Sequence, residues 1–310
     1  VLAIAGADDL HAERHAARGP RRDRGRGEPE EVGGDQEPLA AQHLGRPLGL
    51  PVVDLVSFVV IGVGGLVLIW TLGRPLRVLL AVMKPGTSWI SRGAIADFIF
   101  LIVGGVLILP GLTFGAATPF AWLPWDPWAS NATGKAMEVL ALLSAAVVIF
   151  YAGQVLADGT AIPYWRSPAI PIQFVLSSLA ISMGTVMLME TLNGAPIGAS
   201  QFWLLLAFLV LLLISIVWHL RTNTTTPGKA ESLELLRGRF RGAFVGGVVA
   251  AGTILPMIVA LVGLASTAPR DAMGIVSLLC TLPAGFALRL ITLRVGIYPS
   301  VRAVIRVPKP

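Results

Sequence analysis

The sequence has few of the residues that hold redox metals. It contains one cysteine, Cys280, and four histidines, of which only His219 lies near a long apolar segment. An iron–sulfur cluster needs several cysteines, and a haem inside a membrane bundle needs paired histidines on its helices. The sequence also contains no HExxH motif and no glycine-rich phosphate loop following a strand. The composition therefore predicts a chain without haem, iron–sulfur cluster or metal ion of its own.

Charged residues are also scarce. They make up 14% of the 310 residues, whereas a typical soluble domain has about a quarter. Apolar runs of about 20 residues recur, and this length crosses a hydrocarbon core of roughly 30 Å. The alternating pattern of a transmembrane barrel is absent. The sequence predicts an all-α, polytopic transmembrane helix bundle, and the absence of lysine within its spans excludes a retinal Schiff base.

The first 51 residues differ from the rest. They are rich in Arg, Glu, Gly, Ala and Pro and contain no Lys, Phe, Tyr, Trp or Met. Such a segment buries too little apolar surface to order itself. Two interpretations compete: a natural disordered tail, or a non-native segment joined to the true protein, for example by a frame error. Residues 52–310 are predicted to form the membrane domain.

Seven apolar spans are predicted in this domain. They are Val52–Leu72, Ala94–Leu109, Ala136–Leu156, Ala169–Glu190, Phe202–Leu220, Ala243–Leu264 and Ala272–Leu293. Gly242 and Gly246 have the GxxxG spacing of a close helix contact, and Pro256 and Pro283 are predicted to kink or open their helices.

Basic residues concentrate in alternate loops. The loops 73–93, 157–168 and 221–242 and the C-terminal tail carry many Arg and Lys residues, whereas the opposite loops carry only Lys135 and Arg270. The positive-inside rule places the basic loops in the cytoplasm. A basic docking face for a partner subunit would produce the same asymmetry.

Two segments on the basic side, residues 84–93 and 151–168, combine aromatic, hydroxyl and guanidinium groups. A quinone headgroup needs hydrogen-bond donors, a flat apolar slot and a path for protons, and these segments offer all three. The alternatives are an interfacial aromatic belt, a helix-end anchor or a contact with a partner. The candidate quinone-binding residues are Trp89, Ser91, Arg92, Tyr151, Trp165 and Arg166.

Three carboxylates are candidates for proton transfer, because ionisable groups at membrane depth are costly. Asp97 follows Arg92 by about one turn, so it either forms a salt bridge or relays protons. Asp158 closes the predicted helix of Tyr151. Glu190 lies near the opposite side, either in contact with water or on a proton path across the bundle. His219, near a span end, is predicted to be solvated or to cap its helix.

The order of several motifs resembles the NrfD/PsrC family, the integral-membrane subunits of polysulfide-reductase-type complexes. The most specific motif runs from Thr87 to Arg92 as Thr-Ser-Trp-x-Ser-Arg. The others are Gly73-Arg74-Pro75, Tyr151-Ala152-Gly153, the aromatic loop 163–168, and Leu288-Arg289 with Gly296. The resemblance covers roughly residues 52–300.

The resemblance implies a cofactor-free bundle that binds menaquinone or ubiquinone and exchanges electrons with a ferredoxin-like iron–sulfur subunit. A molybdopterin catalytic subunit would complete the complex, so this chain would not catalyse a reaction alone. Tyr151 matches the family's helix-terminal tyrosine that bonds a quinone oxygen. The implied location is the inner (plasma) membrane.

The family has eight helices, and the first span here resembles its second. The family's first helix therefore has no counterpart among the predicted spans, and the quinone site is predicted to be incomplete. The alternative function is a small-solute secondary transporter, which a charged site at the membrane midplane would favour. A third possibility is a purely structural assembly subunit.

Overall fold

A computed structural model describes most of the membrane domain. The described residues are 52–71, 83–86, 88–112, 114, 117–125, 131–159, 161–192, 196–222, 224, 226, 228–266 and 271–298. The predictions for residues 1–51, for the Gly73-Arg74-Pro75 turn and for the C-terminal tail beyond 298 lie outside them.

The described part of the chain is helical. Its elements are α1 Val52–Thr71, α2 Trp89–Ile108, α3 Ala132–Ala157, α4 Ala169–Leu192, α5 Ala199–Arg221, α6 Lys229–Arg237, a π-helix Gly242–Ile254 that continues into α7 Leu255–Ala265, and α8 Asp271–Val295. A 3₁₀ turn, Leu109–Gly111, extends α2.

Six helices in the described ranges are long and apolar enough to cross a membrane, and α1 adds the shorter apolar stretch Phe58–Val67. The all-α, polytopic architecture is confirmed. In lipid each backbone N–H must find its partner within the segment, which is why apolar runs of this length form helices. Two spans begin four or five residues earlier than predicted: α2 starts at Trp89 rather than at Ala94, and α3 starts at Ala132 rather than at Ala136.

The chain divides into two compact units. The first contains the described parts of residues 1–86 and 94–147. Within it, the ring of Phe58 lies close to Gly105, where an added Cβ would stand 3.2 Å from the ring. The indole of Trp125 donates a hydrogen bond to the carbonyl of Val106 at 3.1 Å. The side chain of Asn131 accepts a bond from the N–H of Gly134 at 2.7 Å and so caps α3.

The second unit contains residues 87–93 and 148–310. Within it, α4 packs against both α5 and α8, and the π-helix packs on α8. Glycines allow these close approaches: a Cβ on Gly184 would stand 3.0 Å from the Cα of Leu278, and one on Gly252 would stand 1.9 Å from the Cβ of Ala284. Small residues at such crossings let helices gain dispersion contacts that lipid does not supply.

The prediction of a close helix contact at Gly242 and Gly246 is wrong, since the close contact lies at Gly252 instead. A Cβ added to Gly242 or Gly246 would meet no described atom within 4 Å, whereas Gly252 forms the tight contact. The irregularity predicted at Pro256 takes the form of the π-helix Gly242–Ile254, which ends just before this proline. By contrast, α8 continues through Pro283 without interruption.

Several hydroxyl groups inside the spans bond to their own helices. Thr185 donates to the carbonyl of Ile181 at 2.9 Å, Thr281 to that of Ser277 at 2.8 Å, and Thr292 to that of Leu288 at 2.8 Å. These bonds satisfy polar side chains without water, so their presence alone does not indicate a site.

Candidate functional site

The Thr-Ser-Trp-x-Ser-Arg motif begins a helix. Ser88 precedes α2, and its hydroxyl lies 3.4 Å from the N–H of Ser91, the arrangement of a serine N-cap. Trp89, Ser91 and Arg92 were predicted in a loop but lie in the first turn of α2. Ser91 is fully buried, whereas Trp89 and Arg92 are half-buried. The helix therefore fixes the positions of three predicted site residues.

Trp89 and Arg92 stack on each other. They are three residues apart, so both lie on one face of α2. The guanidinium carbon of Arg92 lies 4.4 Å from the centroid of the indole, within the range of a cation–π contact. Phe150 of α3 meets the indole edge-on, with ring centroids 6.0 Å apart. This packing holds the indole as a flat aromatic wall.

Tyr151 lies directly against Gly93. A Cβ on Gly93 would stand 2.1 Å from the Cδ2 atom of Tyr151, so only glycine permits this approach. The phenol is half-buried. The start of α2 and the end of α3 thus bring together a phenol, an indole and a guanidinium group. We call this group the Trp89 cluster; it consists of Trp89, Arg92, Gly93, Phe150 and Tyr151.

Trp165 is anchored on α8. Its indole N–H donates to the carbonyl of Thr292 at 2.8 Å, and its ring lies on Gly296, where a Cβ would stand 2.6 Å away. Arg166, the next residue, is exposed. The donor of Trp165 is therefore committed to the backbone. The predicted role of Trp165 and Arg166 in quinone binding stays a prediction.

The three candidate carboxylates lie in different settings. Asp97 is half-buried in α2, and Asp158 is exposed just after α3. Glu190 is half-buried in the last turn of α4, where its Oε1 atom accepts a hydrogen bond from the amide of Gln201. Its other carboxylate oxygen is buried and has no partner among the described residues. Gln201 also accepts a bond from the N–H of Gly198 at 2.7 Å.

His219 contradicts the expectation of a solvated or capping residue. It is 3% exposed, and neither ring nitrogen has a hydrogen-bond partner in the described part of the chain. Its ring meets that of Tyr164 edge-on, with centroids 4.7 Å apart. The loop that follows α3 covers it with Tyr164. Sequence position near a span end gave no sign of this cover.

Lys229 is a second buried polar residue in this region. It is 2% exposed, and its ammonium group donates to the carbonyls of His219, at 2.9 Å, and Thr222. Burial lowers the pKa of Lys229 and raises the pKa of Tyr164. Lys229 thus ties the start of α6 to the end of α5.

Arg289 is a charged residue within a span, a feature that usually marks function. Its guanidinium group donates to Ser178 Oγ at 2.7 Å, to the carbonyl of Phe174 at 3.2 Å and to the carbonyl of Gly285 at 3.0 Å. It also lies 5.1 Å from the ring centroid of Phe174. In the sequence, Arg289 stood out only as part of the Leu288-Arg289 motif. An arginine within an apolar run was the signal that could have singled it out.

The fold defines a multi-pass helical membrane protein with an aromatic and guanidinium cluster at the start of one span. A family model described as "NrfD: Polysulphide reductase, NrfD" matches residues 50–299. The chain therefore belongs to the NrfD polysulphide reductase family. The comparison with curated proteins found no match. The comparison with solved structures also found none.

Proposed function

We propose that this chain is the quinone- or quinol-binding membrane anchor subunit of a multisubunit oxidoreductase. The observation that carries the proposal is the Trp89 cluster, which sets a phenol beside an aromatic wall and a guanidinium group. A planar headgroup with two oxygens requires groups of these kinds. Menaquinone and ubiquinone both meet this description.

Each member of the cluster has a distinct task in this proposal. The Tyr151 phenol donates a hydrogen bond to one headgroup oxygen. The Trp89 indole, held by Arg92, provides the flat surface against which the ring lies. A positive charge at Arg92 also favours electron density that builds up on a reduced oxygen.

Oxidation of a quinol releases two electrons and two protons, so protons need an exit. Asp158 is exposed and follows Tyr151 by seven residues, or about 10 Å along the helix axis. It is the proposed proton acceptor at that end of α3, and Asp97 is a second candidate. Glu190 is proposed to serve a path toward the opposite face, because one of its oxygens is buried without a described partner.

The electrons would pass to a ferredoxin-like iron–sulfur subunit, with a molybdopterin subunit as the catalytic partner. Exposed arginines offer a docking face for an acidic partner surface. They lie at or just after the ends of α5, α6 and α8 and comprise Arg221, Arg239 and Arg294. We propose an inner-membrane location with this face in the cytoplasm.

Arg289 bears on the transporter alternative, because a charge within a span is typical of solute sites. Its guanidinium group already bonds to two carbonyls and to Ser178. The adjoining cavity, which is lined by Ser177, Thr253 and Gly285 among others, has a volume of about 10 Å³. This volume suits about one water molecule and no larger solute. The quinone function therefore remains the proposal.

The test is Tyr151→Phe in the assembled complex, with Tyr298→Phe as the matched control because Tyr298 is exposed. A lost hydrogen bond to the headgroup predicts a fall in kcat/KM for quinol of about tenfold or more, since 1.4 kcal/mol corresponds to a factor of ten. The control should keep wild-type kinetics. Equal kinetics for both variants would contradict the assignment of Tyr151.

A further inference from the structure

A groove lies beside α6, and none of its lining residues belongs to the Trp89 cluster. It has a volume of about 390 Å³, within the usual range of ligand sites. Residues from the end of α5, from α6 and from the start of the π-helix line it. They are Leu220, Leu233, Leu236, Arg237, Arg241, Phe244 and Val245.

The lining has two chemically different parts. Leu233, Leu236 and Phe244 are buried and form an apolar floor. Arg237 and Arg241 are exposed and carry two positive charges, and neither forms an ion pair with a carboxylate of the described residues. An apolar floor beside two exposed guanidinium groups is complementary to an amphiphile with an anionic head.

The groove opens where lipid chains would lie. Val245 lines it and is 52% exposed, and it belongs to the membrane-spanning segment Gly242–Ala265. α6 is amphipathic, with Leu233 and Leu236 buried and Glu234 exposed. A short helix of this kind at the end of a span lies at the level of the lipid headgroups.

We propose that this groove binds an anionic phospholipid. Arg237 and Arg241 hold the phosphate oxygens, for which guanidinium groups are well suited because they donate in a fixed planar fork. An acyl chain lies on Phe244 and Val245. Basic pockets at the ends of membrane helices recognise such headgroups by the same chemistry. The proposal does not depend on quinone binding.

The test measures lipid binding to the purified full-length chain by native mass spectrometry. The probes are dioleoylphosphatidylglycerol, which is anionic, and dioleoylphosphatidylcholine, which is zwitterionic. Each basic residue near an anionic surface contributes about a factor of five in affinity, so Arg237→Gln with Arg241→Gln should weaken phosphatidylglycerol binding roughly thirtyfold. Phosphatidylcholine binding should stay unchanged. Inorganic phosphate should not compete, because it lacks the acyl chain.

The matched control is Arg221→Gln with Arg239→Gln, which removes the same charge from neighbouring exposed positions outside the groove lining. It should keep wild-type affinity. Val245→Trp keeps both arginines and fills the groove at an exposed position, so it should also lose phosphatidylglycerol binding even if the double variant misfolds.

Three outcomes would overturn the proposal. The first is equal binding of both lipids to the wild-type chain. The second is phosphatidylglycerol binding that survives both the double variant and Val245→Trp. The third is loss of an iron–sulfur partner from the double variant while lipid binding is retained, which would assign the groove to protein docking.

Discussion

Replacing Gly93 by alanine is the most informative single change at the Trp89 cluster. The new Cβ would stand 2.1 to 2.4 Å from three ring atoms of Tyr151, which is closer than real Cβ atoms approach. Either the ring must turn away or the two backbones must separate. Overpacking of this kind costs about 1–3 kcal/mol of unfolding free energy, and alanine's helix propensity returns up to about 1 kcal/mol. We expect a net loss of about 1–2 kcal/mol.

The matched control is Gly104→Ala in the same helix, where the added Cβ would meet no described atom within 4 Å. It should be neutral or slightly stabilising. Equilibrium unfolding of the purified chain in detergent gives both values. The activity of the assembled complex should fall only for Gly93→Ala, because displacement of the Tyr151 phenol misplaces a proposed headgroup ligand.

A double-mutant cycle isolates the cause. If the clash with the Tyr151 ring is responsible, Gly93→Ala should cost much less when Tyr151 is already alanine, with a coupling energy of about 1 kcal/mol or more. Additive losses in the cycle, or equal stability of Gly93→Ala and Gly104→Ala, would refute the packing described for this pair.

Three further changes test the polar residues of the second unit. Arg289→Met should lower the unfolding free energy by about 2 kcal/mol, because its charged hydrogen bonds to α4 are lost. Ser178→Ala should lower it by about half as much. Equal stability of wild type and Arg289→Met would contradict those bonds. Burial lowers the pKa of Lys229 below its ordinary value of 10.5, so the unfolded chain binds more protons than the folded chain at pH values between the folded pKa and 10.5. The stability of wild type relative to Lys229→Gln should therefore rise with pH up to about 10.5 and fall as the pH drops. A pH-independent difference in denaturant titrations would be the contrary result. His219→Phe should keep or raise stability by about 1 kcal/mol, because two buried nitrogens that have no partner among the described residues are removed. A large loss in thermal unfolding would reveal a bond to those nitrogens.

The membrane spans could be predicted from the sequence because their cause is local. An apolar run of about 20 residues must form a helix in lipid, whatever its neighbours are. The limits of α4 and α8 therefore agree with the sequence to within about two residues. The start of α2 was missed because three of its first four residues, Trp89, Ser91 and Arg92, are polar or aromatic, and the capping hydroxyl of Ser88 marks the start of the helix.

The contacts between helices could not be predicted, because they depend on which face meets which neighbour. Gly246 and Gly252 lie in the same π-helix, yet only Gly252 meets a described neighbour, on α8. The burial of His219 depends on a loop that folds back from 55 residues earlier in the chain. α6 was missed because nine residues that carry charges of both signs resemble a solvated loop.

The candidate site was predictable only as a set of residue types. Tyr151 lies against Gly93, which directly follows the motif at residues 87–92, and the quinone-binding role of these residues stays a prediction. No sequence pattern distinguishes Trp165, whose indole N–H is committed to the carbonyl of Thr292, from a tryptophan with a free donor. The different settings of Trp89 and Trp165 can therefore be seen only in the structure.

The central claim is that a quinone headgroup lies at the Trp89 cluster, and photolabelling of the assembled complex tests it most directly. An azido-substituted quinone is activated by light, and labelled peptides are mapped by mass spectrometry with and without excess unmodified quinone. We predict labels within residues 88–93 or 150–154 that the unmodified quinone abolishes. Competed labels confined to the groove at Arg237–Val245, or to other spans, would contradict the claim.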